Sequence, residues 1–264
     1  MHETNYHRPS TVDEAAALFA KGSDSKYLAG GHTLLPVMKA RLASPSDVID
    51  LAKIKDLIGI QSLGDALVIK AATTYFDIMS SDAVKNTIPA LVHLTSVLGD
   101  PAVRYRGTIG GSIANNDPAA DYPAAVVALN ATVRTNKREI AADQFFTGMF
   151  ETALQPGEIV TAVRFPKVAQ ANYQKFRNPA SRYAIVGVFV AKTHGGVRVA
   201  VTGAGPSVFR VPEMEAALAK TFTPDAIKDI AIKDDGLNSD IHASAEYRAH
   251  LVGVMARRAV VGCA

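Results

Sequence analysis

Two adjacent glycines at the end of a short apolar run constrain this chain more than any other feature: Leu28-Ala-Gly-Gly-His-Thr-Leu-Leu35. Lacking Cβ, glycine reaches positive φ and lets another group come close to the main chain. Successive N–H groups turned one way form an anion-binding concavity, and Thr33 adds a hydroxyl donor. Alone, the pair reads first as an ordinary tight turn. A second stretch shifts that balance: Thr108-Ile-Gly-Gly-Ser-Ile-Ala-Asn-Asn-Asp-Pro-Ala-Ala-Asp121. Two glycine loops, each carrying Ser or Thr, suit a ligand with an extended diphosphate. The first lacks the Gly-x-Gly-x-x-Gly spacing of a dinucleotide-binding Rossmann turn, so a phosphate site here does not require a doubly wound sheet.

Little in the rest of the chain offers chemistry of its own. Its 264 residues suit two compact domains or one large one. The apolar share of 48%, the charged share of 20% and a net charge of +3 are ordinary for a soluble globular protein. The basic residues are scattered, which gives no reason to expect a nucleic-acid partner. A single cysteine, Cys263, excludes a disulfide within the chain and an iron–sulfur ligand set. The seven histidines include no H-x-x-x-H or H-E-x-x-H pair, so no metal site is expected. Nor is there a G-x-S-x-G elbow or a G-x-x-x-x-G-K-[ST] loop. No apolar run approaches the ~18 residues of a membrane span, and Met-His-Glu-Thr-Asn-Tyr at the start does not read as a secretory signal. A cytoplasmic location is the expectation. The pattern suits a protein whose reactive centre is a bound cofactor.

In chain order, Ser10-x-x-Asp13 and Thr11-x-x-Glu14 predict a capped helix carrying Val12, Ala16 and Phe19. A strand from Lys26 to Ala29 feeds the first glycine loop, and a helix runs from Leu34 to Leu42. Val48 to Leu51 reads as a strand, and Gly64-Asp65 joins a hairpin. Thr74 caps a helix, another spans Ile88 to Leu98, and a third starts near Ala124. Arg104, Tyr105 and Arg106 face a partner, an anionic cofactor or solvent. Asp117, before Pro118, is a turn starter or a ligand contact, and Asp121 a helix cap or an acceptor for ligand hydroxyls. Strands follow at 132–135, 138–140 and 158–165. Beyond a linker at 167–172 the texture becomes a β-meander with a His194-Gly-Gly196 turn, then helices at 213–220, 225–233 and 243–261. The last is amphipathic, with Tyr247, Leu251, Val254 and Val261 on its apolar face and Arg248 off it. This predicts an α+β chain in three parts: residues 1–55, 56–168 and 172–264.

The pair A-G-G-H-T and T-I-G-G-S, with D-P-A-A-D after the second, resembles the flavin (medium) subunits of the molybdenum hydroxylases, the xanthine dehydrogenase and carbon monoxide dehydrogenase family. The resemblance runs from Tyr6 to about Val261. It implies a two-lobed FAD-binding domain of the vanillyl-alcohol-oxidase-like type, then a small α+β domain with a three-stranded antiparallel sheet. It also implies non-covalent FAD, with the diphosphate between Leu28, Ala29, Gly30, Gly31, His32, Thr33 and Leu34 on one side and the second glycine stretch on the other. There Gly110, Gly111 and Ser112 donate, Thr108 and Ile109 shape the approach, and Asn115, Asp117 and Asp121 continue the site. Leu98, Ile159 and Val160 are apolar walls. Lys175 and Tyr183 match a basic and an aromatic residue beside the isoalloxazine, where Lys175 would stabilise reduced flavin. No catalytic side chain is expected, the flavin being the redox centre. The implied partners are a small chain with [2Fe–2S] clusters and a large chain with the molybdenum cofactor, in an (αβγ)2 assembly. Electrons would pass from the clusters to FAD and on to an external acceptor. The competing readings are a stand-alone flavoprotein oxidase or dehydrogenase, and a non-enzymatic binding module.

Overall fold

The structure, a computed structural model, describes residues 1–263. Strands β1 (Asn5–His7), β2 (Ser25–Leu28) and β3 (Asp47–Asp50) form a sheet in the order β1-β3-β2, with both pairings parallel. Parallel neighbours need a crossover, and the helix Val12–Phe19 lies between β1 and β2 in the chain. Its start follows the sequence signal. Thr11 Oγ1 accepts the Glu14 N–H at 3.1 Å, while the Glu14 carboxylate accepts the Ser10 N–H and hydroxyl at 2.7 and 2.9 Å. Strand β1 is not evident from sequence, because three polar, largely exposed residues show no alternation.

The middle of the chain contributes β4 (Ile60–Leu63), β5 (Ala66–Lys70), β6 (Thr132–Thr135) and β7 (Glu139–Ala141). After them come a small hairpin, β8 (Phe146–Gly148) with β9 (Glu151–Thr152), and then β10 (Val160–Pro166). The larger sheet runs β4-β5-β10-β6-β7, antiparallel throughout. Short helices fill the interval between β5 and β6, and three differ from expectation, the first being Asp82–Thr87, capped by Ser81. Pro101–Arg106 is helical rather than a lead-in, because Asp100 Oδ1 accepts the Val103 N–H at 2.9 Å and proline occupies the first turn. The second glycine pair is not a loop. It forms the first turn of the helix Ile109–Asn115, whose Thr108 cap accepts the Gly111 N–H at 3.1 Å. Ile109 and Ile113, four residues apart and fully buried, anchor that helix against the weak helical preference of glycine.

The third sheet is a meander of β11 (Gln170–Arg177), β12 (Ala184–Thr193), β13 (Gly196–Thr202) and β14 (Phe209–Arg210). It has four strands rather than three, the fourth being a two-residue edge. Strand β12 is buried from Ala184 to Ala191 because both faces are covered. Phe189 and Ala191 join the core of the middle lobe, whereas Val186, Val188 and Val190 join the core under the last helix. That helix, Ala245–Gly262, buries a face rotated from the expected one, although Leu251 is buried and Val254 packs on the core as expected. Arg248, Leu251, Val252, Met255, Ala256 and Ala259 point inward, while Tyr247 and Val261 are exposed. Arg248 is accommodated because its guanidinium donates to the carbonyls of Ile185 and Gly203 at 2.6 and 3.0 Å and pairs with Asp240 at 2.7 Å. The helix expected over 225–233 reduces to one 3-10 turn, Pro224–Ile227. Beyond it, Ile230 and Ile232 pack on the core from an irregular chain.

Candidate functional site

The three sheets meet around a cleft of about 640 Å³. Its lining comes from the end of β2 and the first glycine turn, the residues after β5, the helix Ile109–Asn115, the segment Asp117–Asp121, the start of β10 and the loop before β12.

The first glycine turn supplies free donors. Gly31 stands at φ +79°, the left-handed region that favours glycine. The N–H groups of Gly31, His32, Thr33 and Leu34 donate to nothing among the described residues, although the carbonyls of Gly31 and Thr33 start the next helix. Gly30 has no room for a side chain: a Cβ there would lie 2.2 Å from the Arg106 carbonyl oxygen. The turn is therefore pressed against the end of the helix Pro101–Arg106, with its donors beside the cleft. Such a row fits the oxygens of a diphosphate.

The second glycine pair works differently from expectation. The Gly110 N–H donates to Ala71 O at 2.9 Å, the Gly111 N–H to Thr108 Oγ1 at 3.1 Å, and the Ser112 N–H to Thr108 O at 3.0 Å. None of these amides is available to a ligand, because the capped helix consumes them. The glycines instead permit close approach: a Cβ on Gly110 would sit 2.5 Å from Ala71 Cβ, and one on Gly111 3.3 Å from Ala29 Cβ. What the stretch offers the cleft is a thin wall and the Ser112 hydroxyl.

Of the residues singled out from sequence, Leu28, Ala29, Gly30, Gly31, His32, Thr33, Leu34, Leu98, Thr108, Gly110, Gly111, Ser112, Asn115, Asp117, Asp121, Ile159, Val160 and Tyr183 all line the cleft. Two do not. Ile109 is fully buried under the helix, and Lys175 lies behind Asp121 instead of against the cleft. The Lys175 ammonium, on a side chain 2% exposed, stands 2.9 Å from Asp121 Oδ1, which also accepts the Tyr173 hydroxyl at 2.5 Å. Lys175 thus acts on the cleft only through Asp121. Burial raises the Asp121 carboxyl, opposed by the Lys175 charge and the Tyr173 hydrogen bond. Asp117 takes the structural option: its Oδ1 accepts the Ala119 N–H at 2.9 Å, closing a turn. Asp121 does not cap the following helix with its side chain.

Sequence reasoning missed several lining residues. Tyr75 packs its ring where Gly107 leaves room, and burial lifts its phenol well above the ordinary range. Glu158 is held by Arg138 at 3.0 and 3.1 Å, by the Thr135 hydroxyl at 2.7 Å and by the Gln155 N–H at 2.8 Å. The Arg138 guanidinium above all draws its carboxyl down to about 2. Ser181 and Arg182 complete the rim beside Tyr183, a residue 49% exposed. Gly107, directly before the T-I-G-G motif, was the one legible hint. Among the described residues no cluster of His, Cys, Asp or Glu could hold a metal ion, and no helix is long and apolar enough to cross a membrane.

Comparison with known proteins identifies the family. The family model described as the FAD binding domain in molybdopterin dehydrogenase matches residues 2–168, and that of the CO dehydrogenase flavoprotein C-terminal domain matches residues 171–262. The carbon monoxide dehydrogenase medium chain of Hydrogenophaga pseudoflava is 36% identical, covering 97% of this chain and 95% of that one. The nicotine 6-hydroxylase medium subunit of Paenarthrobacter nicotinovorans is 35% identical with the same coverage. A chain of the reconstituted CO dehydrogenase from Oligotropha carboxidovorans superposes with a TM-score of 0.91 at 34% identity, over 99% of this chain and 97% of that one.

Proposed function

The chain belongs to the family of FAD-binding medium subunits of the molybdenum hydroxylases, and from that membership we propose how its cleft serves the relay of electrons. The single observation that carries the proposal is the row of free N–H groups from Gly31 to Leu34 beside a cleft large enough for a dinucleotide. FAD, when bound here, would supply the redox chemistry of electron transfer between iron–sulfur clusters on a partner chain and an acceptor.

The chain's own residues bind and orient. The first glycine turn donates to the diphosphate, with the hydroxyls of Thr33 and Ser112 as further donors. Each charge-assisted bond of this kind contributes about 1.5–3 kcal/mol, enough together for tight non-covalent binding. Leu98, Ile159 and Val160 exclude water from apolar parts of the ligand. Tyr183, whose phenol burial holds protonated, offers a ring face at the rim. Lys175 works through Asp121, keeping a compensated carboxylate at the wall.

As a medium subunit, the chain works with other chains. The finer assignment, an iron–sulfur small subunit and a molybdenum large subunit in an (αβγ)2 assembly in the cytoplasm, is our reading. Relatives of nearly equal length are named for carbon monoxide dehydrogenase, nicotine hydroxylase and glyceraldehyde dehydrogenase. A chain shared across such different substrates fits one that does not itself choose them. The test is purification of the native assembly. We expect a yellow protein that releases FAD on denaturation and carries iron–sulfur and molybdenum chains. A colourless assembly that takes up no added FAD refutes the proposal.

A further inference from the structure

Asp117-Pro-Ala-Ala-Asp121 crosses one wall of the cleft as an irregular strap between two helices, and its grip comes almost wholly from the third sheet. The Thr202 hydroxyl, 1% exposed at the end of β13, is shared between the carbonyls of Ala120 at 2.6 Å and Pro118 at 3.1 Å. The neighbouring Gly203 N–H donates to Pro118 O at 2.8 Å. From β11, Tyr173 and Lys175 both reach Asp121 Oδ1. The strap's own bonds are two: the Ala119 N–H to Asp117 Oδ1 and the Ala120 N–H to Asp117 O, both 2.9 Å. At its start Asn116, in the left-handed region at φ 44°, ties the chain to the β8–β9 hairpin through Gly148 O and Glu151 O.

We propose that Thr202 is a positioning residue for the cofactor site, holding the strap in the one shape that brings Asp117, Ala120 and Asp121 to the cleft. Thr202 does not line the cleft; it acts through the carbonyls it binds. No other donor among the described residues reaches Ala120 O, so its removal leaves a carbonyl without a partner and frees the strap to move. The third domain thus shapes one wall of the site as well as supplying Ser181, Arg182 and Tyr183 to its rim. The inference rests on the FAD reading for the identity of the ligand, but not for the mechanics of the strap.

Thr202→Val, Thr202→Ser and Thr95→Val test it in the full chain. Thr95 is an equally buried hydroxyl, bonded to Leu91 O and to the Tyr122 hydroxyl and outside the cleft lining. Without added flavin, amide hydrogen exchange at residues 119–121 should rise about tenfold in T202V, return in T202S and stay unchanged in T95V. Titration with FAD, followed by flavin fluorescence, should show about tenfold weaker binding for T202V alone, again restored by serine. Unchanged exchange in T202V overturns the proposal. So does faster exchange with unaltered FAD affinity, since the strap would then not serve the ligand. If the wild-type chain in its native assembly takes up no FAD, the flavin reading fails, and the exchange result alone decides whether Thr202 holds the strap.

Discussion

Gly30→Ala isolates the contact on which the first glycine turn depends. Gly30 is not at positive φ, so alanine meets no conformational strain there and the whole effect is one of space. Its Cβ would fall 2.2 Å from Arg106 O and 2.8 Å from Gly107 Cα. Non-bonded carbons rest at about 3.5–4.0 Å, so the turn and the end of the helix Pro101–Arg106 must part by roughly 1 Å. Both obstacles are backbone, and no rotamer change relieves them. Overpacking of this kind costs about 1–3 kcal/mol, and rigid obstacles put this case at the upper end. At about 2–4 °C per kcal/mol for a chain of this size, the melting temperature should fall by roughly 6–12 °C. Gly64→Ala is the control, because a methyl group there would meet nothing within 4 Å and its φ is ordinary; it should stay within about 0.5 kcal/mol of wild type. Thermal melts of the three proteins, with and without FAD, read both effects. The same displacement moves the donors of Gly31 to Leu34, so FAD should protect G30A far less than G64A. If G30A melts with G64A, the turn is not pressed against its neighbour and the reasoning fails.

Three further outcomes follow from the lining. The Glu158 carboxyl lies below its ordinary 4.5, at about 2, so its stabilising contribution is complete above about pH 4.5 and is lost as pH falls through about 2. Glu158→Gln should flatten that part of an acid-unfolding profile; an unchanged profile would show that the Arg138 bonds do not hold it. Asp121→Asn leaves the Lys175 ammonium buried without a counter-charge, at a cost of about 3–5 kcal/mol, and adding Lys175→Met should recover most of the loss in melts. A double variant no more stable than D121N would refute the pairing as the cause. Tyr183→Ala removes a half-exposed ring, so stability should stay within about 0.5 kcal/mol while the absorption and fluorescence of bound FAD shift. Flavin spectra identical to wild type would remove Tyr183 from the ring's surroundings.

Local chemistry was the part of this molecule legible from sequence. The Thr11–Glu14 cap and the Gly64-Asp65 hairpin depend on neighbours a few residues away and lie where the pattern put them, and both glycine pairs reach the cleft wall. What failed depended on distant partners. Glycine's low helical preference argues for a loop at Gly110-Gly111; burial of Ile109 and Ile113 in the core reverses it. Arg248 reads as a solvent-facing charge in the sequence because its acceptors, the carbonyls of Ile185 and Gly203, are 63 and 45 residues away. Lys175 sits on a strand, where period two fixes which residues share a face but not which face meets the cleft. Only the meeting of β11 with the Asp117–Asp121 strap decides that.

The cleft's carboxylates argue against direct oxidation of a substrate by this polypeptide. Such a reaction asks for a group free to take a proton near neutral pH. Glu158 is committed to Arg138, Thr135 and Gln155, and its carboxyl is far too acidic. Asp121 is committed to Lys175 and Tyr173, and Asp117 closes its own turn. Burial raises the phenols of Tyr75 and Tyr183, which keeps them neutral. His32 has no such bond, but it stands on the glycine turn among the free N–H donors, where a diphosphate's charge belongs. The carboxylates of Glu158 and Asp121 are therefore spent on holding the wall in place, and Asp117 gives one oxygen to its own turn. A site built this way grips a cofactor and leaves the proton chemistry of the substrate to another chain, as the medium-subunit reading requires and the stand-alone oxidase reading does not.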